Sequence, residues 1–220
     1  MPRESQTTRR ERVAKIFRAL NKHFPNAHCE LVHSSPLELL IATILSAQCT
    51  DKRVNIVTKD LFAKYRTPED YANVPQNVFE QDIRSTGFYR NKAKNIRATA
   101  AIIVNDFGGK VPQTMAELLT LPGVARKTAN VVLGNAFGKN EGVVVDTHVI
   151  RISARLKLTK QTTPEKIECD LMELVPRKNW TLFSHLIVFL GRSHCPARKP
   201  NCPACPLSAK KLCPSAGTFG

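Results

Sequence analysis

No stretch of this sequence is long and apolar enough to cross a bilayer. SHLIVFLG and LLIATILSA fall far short of the ~20 residues a spanning helix needs. The start, MPRESQTTRRERVAKIF, has charge but no apolar signal core, so the chain is expected in the reducing cytoplasm, where disulfides are rare. Acidic charge is scarce as well: 18 Asp and Glu face 33 Lys and Arg, a net +15. That imbalance points to a polyanionic partner, most simply nucleic acid, with a solvated basic surface as the plain alternative. A membrane surface is disfavoured, because no long basic amphipathic helix free of acids stands out. There is no internal repeat and no low-complexity tract. Strand signals are nearly missing too, since only EGVVV resembles one and it is too short to organise a sheet.

What is present reads as helix almost throughout. With 220 residues, 42% of them apolar, the chain is long enough for one large or two modest domains. Val13, Ile16, Phe17 and Leu20 recur at helical spacing between Thr7 and Phe24. SSPLELLIATILSAQ opens with Ser35 as cap, Pro36 at the first helical position and Glu38 to complete a capping box. Asp51 is expected to cap DKRVNIVTKDLFAKY, and Asp146 to cap THVIRISARLKL. Short proline-started helices are expected at TPEDYA and VPQNVFEQ, and a longer basic one from Tyr89 to a stop at Gly108-Gly109. TTPEKIECDLMELV begins at Thr163-Pro164, and WTLFSHLIVFLGR is expected to close at Gly191. The fold class is all-α.

Helices over about 112–120 and 124–137 are separated only by Leu121-Pro122-Gly123, with Gly138 as C-cap of the second. Gly123 lets the backbone approach something closely, and the following helix start offers N–H donors and a positive dipole end. A plain helical turn and a phosphate site are both open on this pattern; the basic charge favours phosphate. Arg126 and Lys127 then sit in the first turn, where cations are mildly unfavourable. The helix end, Arg126 and partial burial would all disfavour the ammonium form of Lys127, as suits a nucleophilic amine. An ordinary phosphate-contacting lysine remains the alternative. Asp146 needs no role beyond capping.

The tail, CPARKPNCPACPLSAKKLC, holds Cys195, Cys202, Cys205 and Cys213, separated by six, two and seven residues. Four thiols this close in an intracellular chain mean metal rather than disulfides, and either zinc or an iron–sulfur cluster accepts four thiolates. Cys29, Cys49 and Cys169 stand alone and read as packed thiols.

LPGVARKTANVVL, followed nineteen positions after its lysine by the aspartate of VDTHV, resembles the helix–hairpin–helix DNA glycosylases. The lysine in RKTAN, LSAQCTD, TGFYRNKAKNI and the cysteine tail make the chain most similar to the endonuclease III family, over about residues 10–215. The resemblance implies two helical domains flanking a DNA-binding groove. Residues 29–139 would form a barrel-like helical domain with the hairpin; 1–28 and 140–220 would form a discontinuous domain with the cysteine loop. It implies a bifunctional glycosylase and AP lyase of base excision repair. Lys127 would be the Schiff-base nucleophile and Asp146 its partner; the substrate would be duplex DNA with oxidised pyrimidines or abasic sites. Leu121, Gly123, Ala125 and Arg126 would meet DNA at the hairpin, Gln48 would fill the gap left by the extruded base, and Phe88 would wedge the opposite strand. For Phe88, a core aromatic is the competing reading. Arg198 and Lys199, with Arg192 beside them, would meet phosphate. The four cysteines would bind a 4Fe–4S cluster rather than zinc.

Asp51 and His148 lie in matching stretches but are explained by a cap and a structural hydrogen bond. Two features depart from the family pattern. Cys213 follows a longer gap than usual, so the last loop is expected to bulge, and Ala125 stands where a second glycine is usual. Other specificities on the same scaffold (mismatch, uracil or pyrimidine-dimer) and a non-catalytic DNA-binding module are the rival readings. Nothing calls for an oligomer, so a nucleoid-associated monomer is expected.

Overall fold

A computed structural model describes residues 4–218. Eleven α-helices follow one another with no strand among the described residues. They are α1 Gln6–His23, α2 Pro36–Leu45, α3 Asp51–Lys64, α4 Pro68–Asn73, α5 Gln76–Asp82 and α6 Tyr89–Phe107. Then come α7 Met115–Leu118, α8 Arg126–Ala136, α9 Thr147–Arg155, α10 Pro164–Leu174 and α11 Trp180–Ser193. The chain divides into two compact units, one running Cys29–Lys139, the other joining the N-terminal stretch through His28 to the chain from Asn140.

The Cys29–Lys139 unit is organised around α2. Seven of its ten residues, Leu37, Leu39, Leu40, Ile41, Ala42, Ile44 and Leu45, are buried apolar side chains, and Thr43 is buried with them. A helix apolar on every face must be covered on every face, and α3, α6 and α8 pack against it. Ser35 accepts from the N–H of Glu38 as expected, but the Glu38 carboxylate returns to Ser34 rather than to Ser35, one residue outside the usual capping box. Thr50, not Asp51, caps α3, its hydroxyl accepting from Arg53; Asp51 is the first helical residue, where its charge suits the positive helix end. In α4 the capping box is complete between Thr67 and Asp70. Pro75 sits one place earlier than expected, at the N-cap of α5.

In the split unit, α11 is the central element, burying Phe183, Leu186, Ile187 and Leu190 and packing against α1 and α9. Gly191 does not end it. The helix runs on to Ser193, and a Cβ at Gly191 would stand 2.6 Å from His148 Nδ1 of α9. The glycine is there for close helix packing, not as a stop. Cys29 and Cys49 pack against the core of the other unit, whereas Cys169 is exposed and is not a packed thiol.

Candidate functional site

The turn after α7 is built on a second helix. Gly123 has φ +77°, in the left-handed region, and a Cβ there would lie 2.9 Å from Asn95 Nδ2 and 3.0 Å from Asn95 Cβ on α6. Glycine is thus required twice over, by backbone conformation and by space. The buried Thr99 hydroxyl, one turn along α6, donates to the Pro122 carbonyl at 2.8 Å, and Val124 N–H closes the turn on Leu121 O at 3.1 Å. Both helices are shorter than the sequence suggests: α7 covers only Met115–Leu118, and α8 starts at Arg126 because Val124 and Ala125 are still outside the helix.

Ala125 is the N-cap of α8, with φ −91° and ψ 171°, and no side chain caps the helix. That is ordinary extended backbone, so a glycine is not needed at this position. Ala125, Arg126 and Lys127 are all exposed. For Lys127 this corrects the expectation of partial burial: the first turn projects beyond the packed stripe of Ala129, Asn130, Val132 and Leu133. Leu121 is only 2% exposed and its N–H donates to Leu118 O, so its side chain shapes the turn from inside. C-terminally, Phe137 caps α8, Gly138 takes φ +66°, and Lys139 N–H returns to Leu133 O, the glycine stop that was expected.

Two further residues of this unit stand out by conformation. Gln48 has φ +52° and Phe88 φ +48°, both left-handed, both exposed, Phe88 by 63%. A bulky residue in that region is held there by its surroundings, and such positions cluster at functional sites. The exposure also removes the core-aromatic reading of Phe88.

In the split unit, Asp146 caps α9 by accepting from Val149 N–H at 2.8 Å, which fixes its carboxylate. The same helix carries two arginines one turn apart that grip the cysteine loop. Arg151 donates to Gly191 O, to Cys195 O and toward His148 Nδ1; Arg155 donates to Pro196 O, Ala197 O and, at 3.1 Å, to Cys195 Sγ. Neither arginine stands out in the sequence reading, although cations spaced i, i+4 were the available signal.

Cys195, Cys205 and Cys213 pack on the core of this unit. Burial pushes the Cys213 thiol up; the N–H of Ser215 opposes this, and the charges of Cys205, Cys195 and Cys202 add to it. The four thiols are therefore electrostatic neighbours, yet no three His, Cys, Asp or Glu side chains among the described residues form a cage for a single metal ion. The longer gap before Cys213 is taken up by a run of hydrogen-bonded turns with no helix. Leu207 and Leu212 are both buried, Lys211 is left-handed, and Leu212 N–H closes back on Leu207 O at 3.0 Å. Arg192, Arg198 and Lys199 are exposed, Lys199 with φ +50°.

Comparison with known proteins gives the family. Residues 41–177 match the HhH-GPD superfamily base excision DNA repair protein family. An endonuclease III from Synechocystis is 54% identical over 209 residues, 95% of this chain and 94% of that protein. Two solved endonuclease III–DNA complexes, one non-covalent and one a trapped covalent intermediate, each superpose with a TM-score of 0.89 at 48% identity, covering 95% of this chain and 97% of theirs. The chain therefore belongs to the HhH-GPD superfamily of base excision DNA repair proteins and, within it, to the endonuclease III family.

Proposed function

We propose that this member of the endonuclease III family excises oxidised pyrimidines from duplex DNA and nicks the resulting abasic site, with Lys127 as nucleophile and Asp146 as its acidic partner. The observation that carries the reading is the exposed Lys127 in the first turn of an α8 that no side chain caps, on a turn that only glycine can make. Backbone donors at such a helix start suit a phosphate, which would hold the damaged strand beside the amine.

In this reading the Lys127 amine attacks C1′ with its lone pair. The electron pair of the glycosidic bond leaves with the base, which takes up a proton. The Asp146 carboxylate accepts a proton from the amine and stabilises the positive charge that develops on the sugar. Ring opening gives an imine between Nζ and C1′. Loss of a C2′ proton then expels the 3′ phosphate by β-elimination, and water releases the enzyme. Gln48 enters the space left by the extruded nucleotide and Phe88 supports the opposite strand, offsetting the few kcal/mol that unstacking costs. Arg198 and Lys199 meet backbone phosphate. The partner is chromosomal DNA in the cytoplasm, met by a monomer.

Cys195, Cys202, Cys205 and Cys213 fit a 4Fe–4S cluster by the chemistry of the donor set, four thiolates from one short stretch, three of which (Cys195, Cys205 and Cys213) pack on the same core. When bound, the cluster would cross-link the tail and so hold the loop carrying Arg198 and Lys199. Arg155 would steady the Cys195 thiolate by its N–H.

The lesion class is tested by base release from matched duplexes carrying thymine glycol, uracil, mismatched thymine or a pyrimidine dimer. Fastest release of thymine glycol is expected; preference for mismatched thymine would overturn the substrate assignment.

A further inference from the structure

Lys92 is a buried lysine with no carboxylate bonded to it. It lies in the first turn of α6 and is 4% exposed. Its Nζ donates to two backbone carbonyls, Leu45 O at 2.8 Å and Thr86 O at 2.9 Å. Burial holds its pKa below the usual lysine range, and the nearby Cys49 opposes that shift. Ordinary lysines avoid such a place, since a buried charge is costly unless paired or hydrogen-bonded.

The two carbonyls explain what is held. Leu45 is the last residue of α2, and Thr86 the last of a single 3-10 turn, Arg84–Thr86. Both are orphan acceptors at helix ends, where a cation is favoured. Three residues beyond Leu45 comes Gln48, and two beyond Thr86 comes Phe88, both left-handed and exposed. The Lys92 backbone N–H also donates to Phe88 O at 3.1 Å. One side chain thus joins the roots of both loops and of the helix that follows the second. Between the carbonyls and the exposed tips lie only Ser46-Ala47 and Gly87.

We propose that Lys92 is a positioning residue that presets Gln48 and Phe88 as one unit for opening the duplex. It touches neither DNA nor the reacting atoms; it fixes the two loops relative to one another before DNA arrives, so their ordering is not a cost of base extrusion. A purely structural capping lysine would act on every activity of the protein alike. This inference rests on the reading of Gln48 and Phe88 as residues that enter the base stack, and its test separates the two.

Single-turnover release of thymine glycol from duplex is compared with strand cleavage at an abasic site in single-stranded DNA, where there is no stack to open. Lys92→Met should slow duplex release by roughly 10–100-fold, the scale of a small misplacement, and leave single-strand cleavage near wild type. In a background carrying both Gln48→Ala and Phe88→Ala, the same change should have little further effect on duplex release, because the groups it positions are gone. Equal loss of both activities, or a full further loss in that background, would overturn the proposal. If Lys92→Met does not fold, Lys92→Arg decides in the same assays: selective loss of duplex release supports the role, proportional loss refutes it. A double variant that matches wild type on duplex DNA refutes instead the roles given to Gln48 and Phe88, and wild type inactive on both substrates refutes the proposed function.

Discussion

Gly123→Ala should be among the most damaging one-carbon changes in this protein, and its size can be worked out. The backbone there has φ +77°, where a residue with a Cβ costs about 1–2 kcal/mol more than glycine. The new methyl would also stand 2.9, 3.0 and 3.2 Å from Asn95 Nδ2, Cβ and Cγ. Overpacking of that kind costs about 1–3 kcal/mol, at the low end here because Asn95 is only half-buried and its amide can swing away. Together these give about 2–3 kcal/mol, or a melting temperature lower by roughly 5–10 °C in a chain of this length. Thermal unfolding followed by circular dichroism reads the first effect. Titration of a duplex with a stable abasic analogue, at several salt concentrations, reads the second, a weaker affinity as the turn shifts from the shape proposed to bind phosphate. Asn95→Ala in the Gly123→Ala background should recover only part of the loss, since Asn95 Cβ and the unfavourable φ both remain. An unchanged melting temperature with unchanged DNA affinity would refute the argument, and full recovery in the double variant would show that backbone conformation contributes nothing.

Other outcomes follow from the same structure. Asp146→Asn keeps an N-cap side chain and should leave stability almost unaltered, while Asp146→Ala should lose about 1 kcal/mol; both should slow base excision by roughly 100-fold or more if the charge matters beyond the cap, as single-turnover release would show. Burial lowers the pKa of His185 from 6.5 to about 4, with the charge of His28 a smaller cause. The folded state thus favours the neutral ring: its stabilisation is complete above pH 6.5 and is lost as pH falls toward 4, amounting to at most about 3 kcal/mol. The gap in melting temperature between wild type and His185→Gln should therefore shrink through that window, and a constant gap would refute the assignment. Metal analysis of purified protein should find about four irons per chain with matching sulfide, whereas about one zinc would refute the cluster.

Much of this molecule was legible because its signals are local. The limits of α6, the cap at Asp146 and the glycine stop after α8 each depend on a few neighbouring residues, and the structure reproduces them. What was misread depended on distant partners. Gly191 looked like a terminator because its reason for being glycine, the His148 ring, lies 43 positions away in sequence. The first turn of α8 was expected to be partly covered, but cover depends on tertiary packing that periodicity does not report. Lys92 was hidden inside a helix read only as basic. Its burial follows from two carbonyls, one of them 47 residues away, and nothing in NKAKNI separates it from the exposed Lys94. Arg151 and Arg155 were missed for the same reason, their partners being backbone atoms of a loop some 40 residues on.

The central claim is that Lys127 forms the covalent imine, and borohydride trapping tests it most directly. Wild-type protein is mixed with duplex bearing an abasic site, in parallel with Lys127→Gln, and the products are resolved by denaturing electrophoresis. The account predicts a protein–DNA adduct in the wild type, mapped by mass spectrometry to Lys127, and none in the variant, which still binds the duplex. An adduct of equal yield in Lys127→Gln, or no adduct in the wild type despite tight binding, would contradict it.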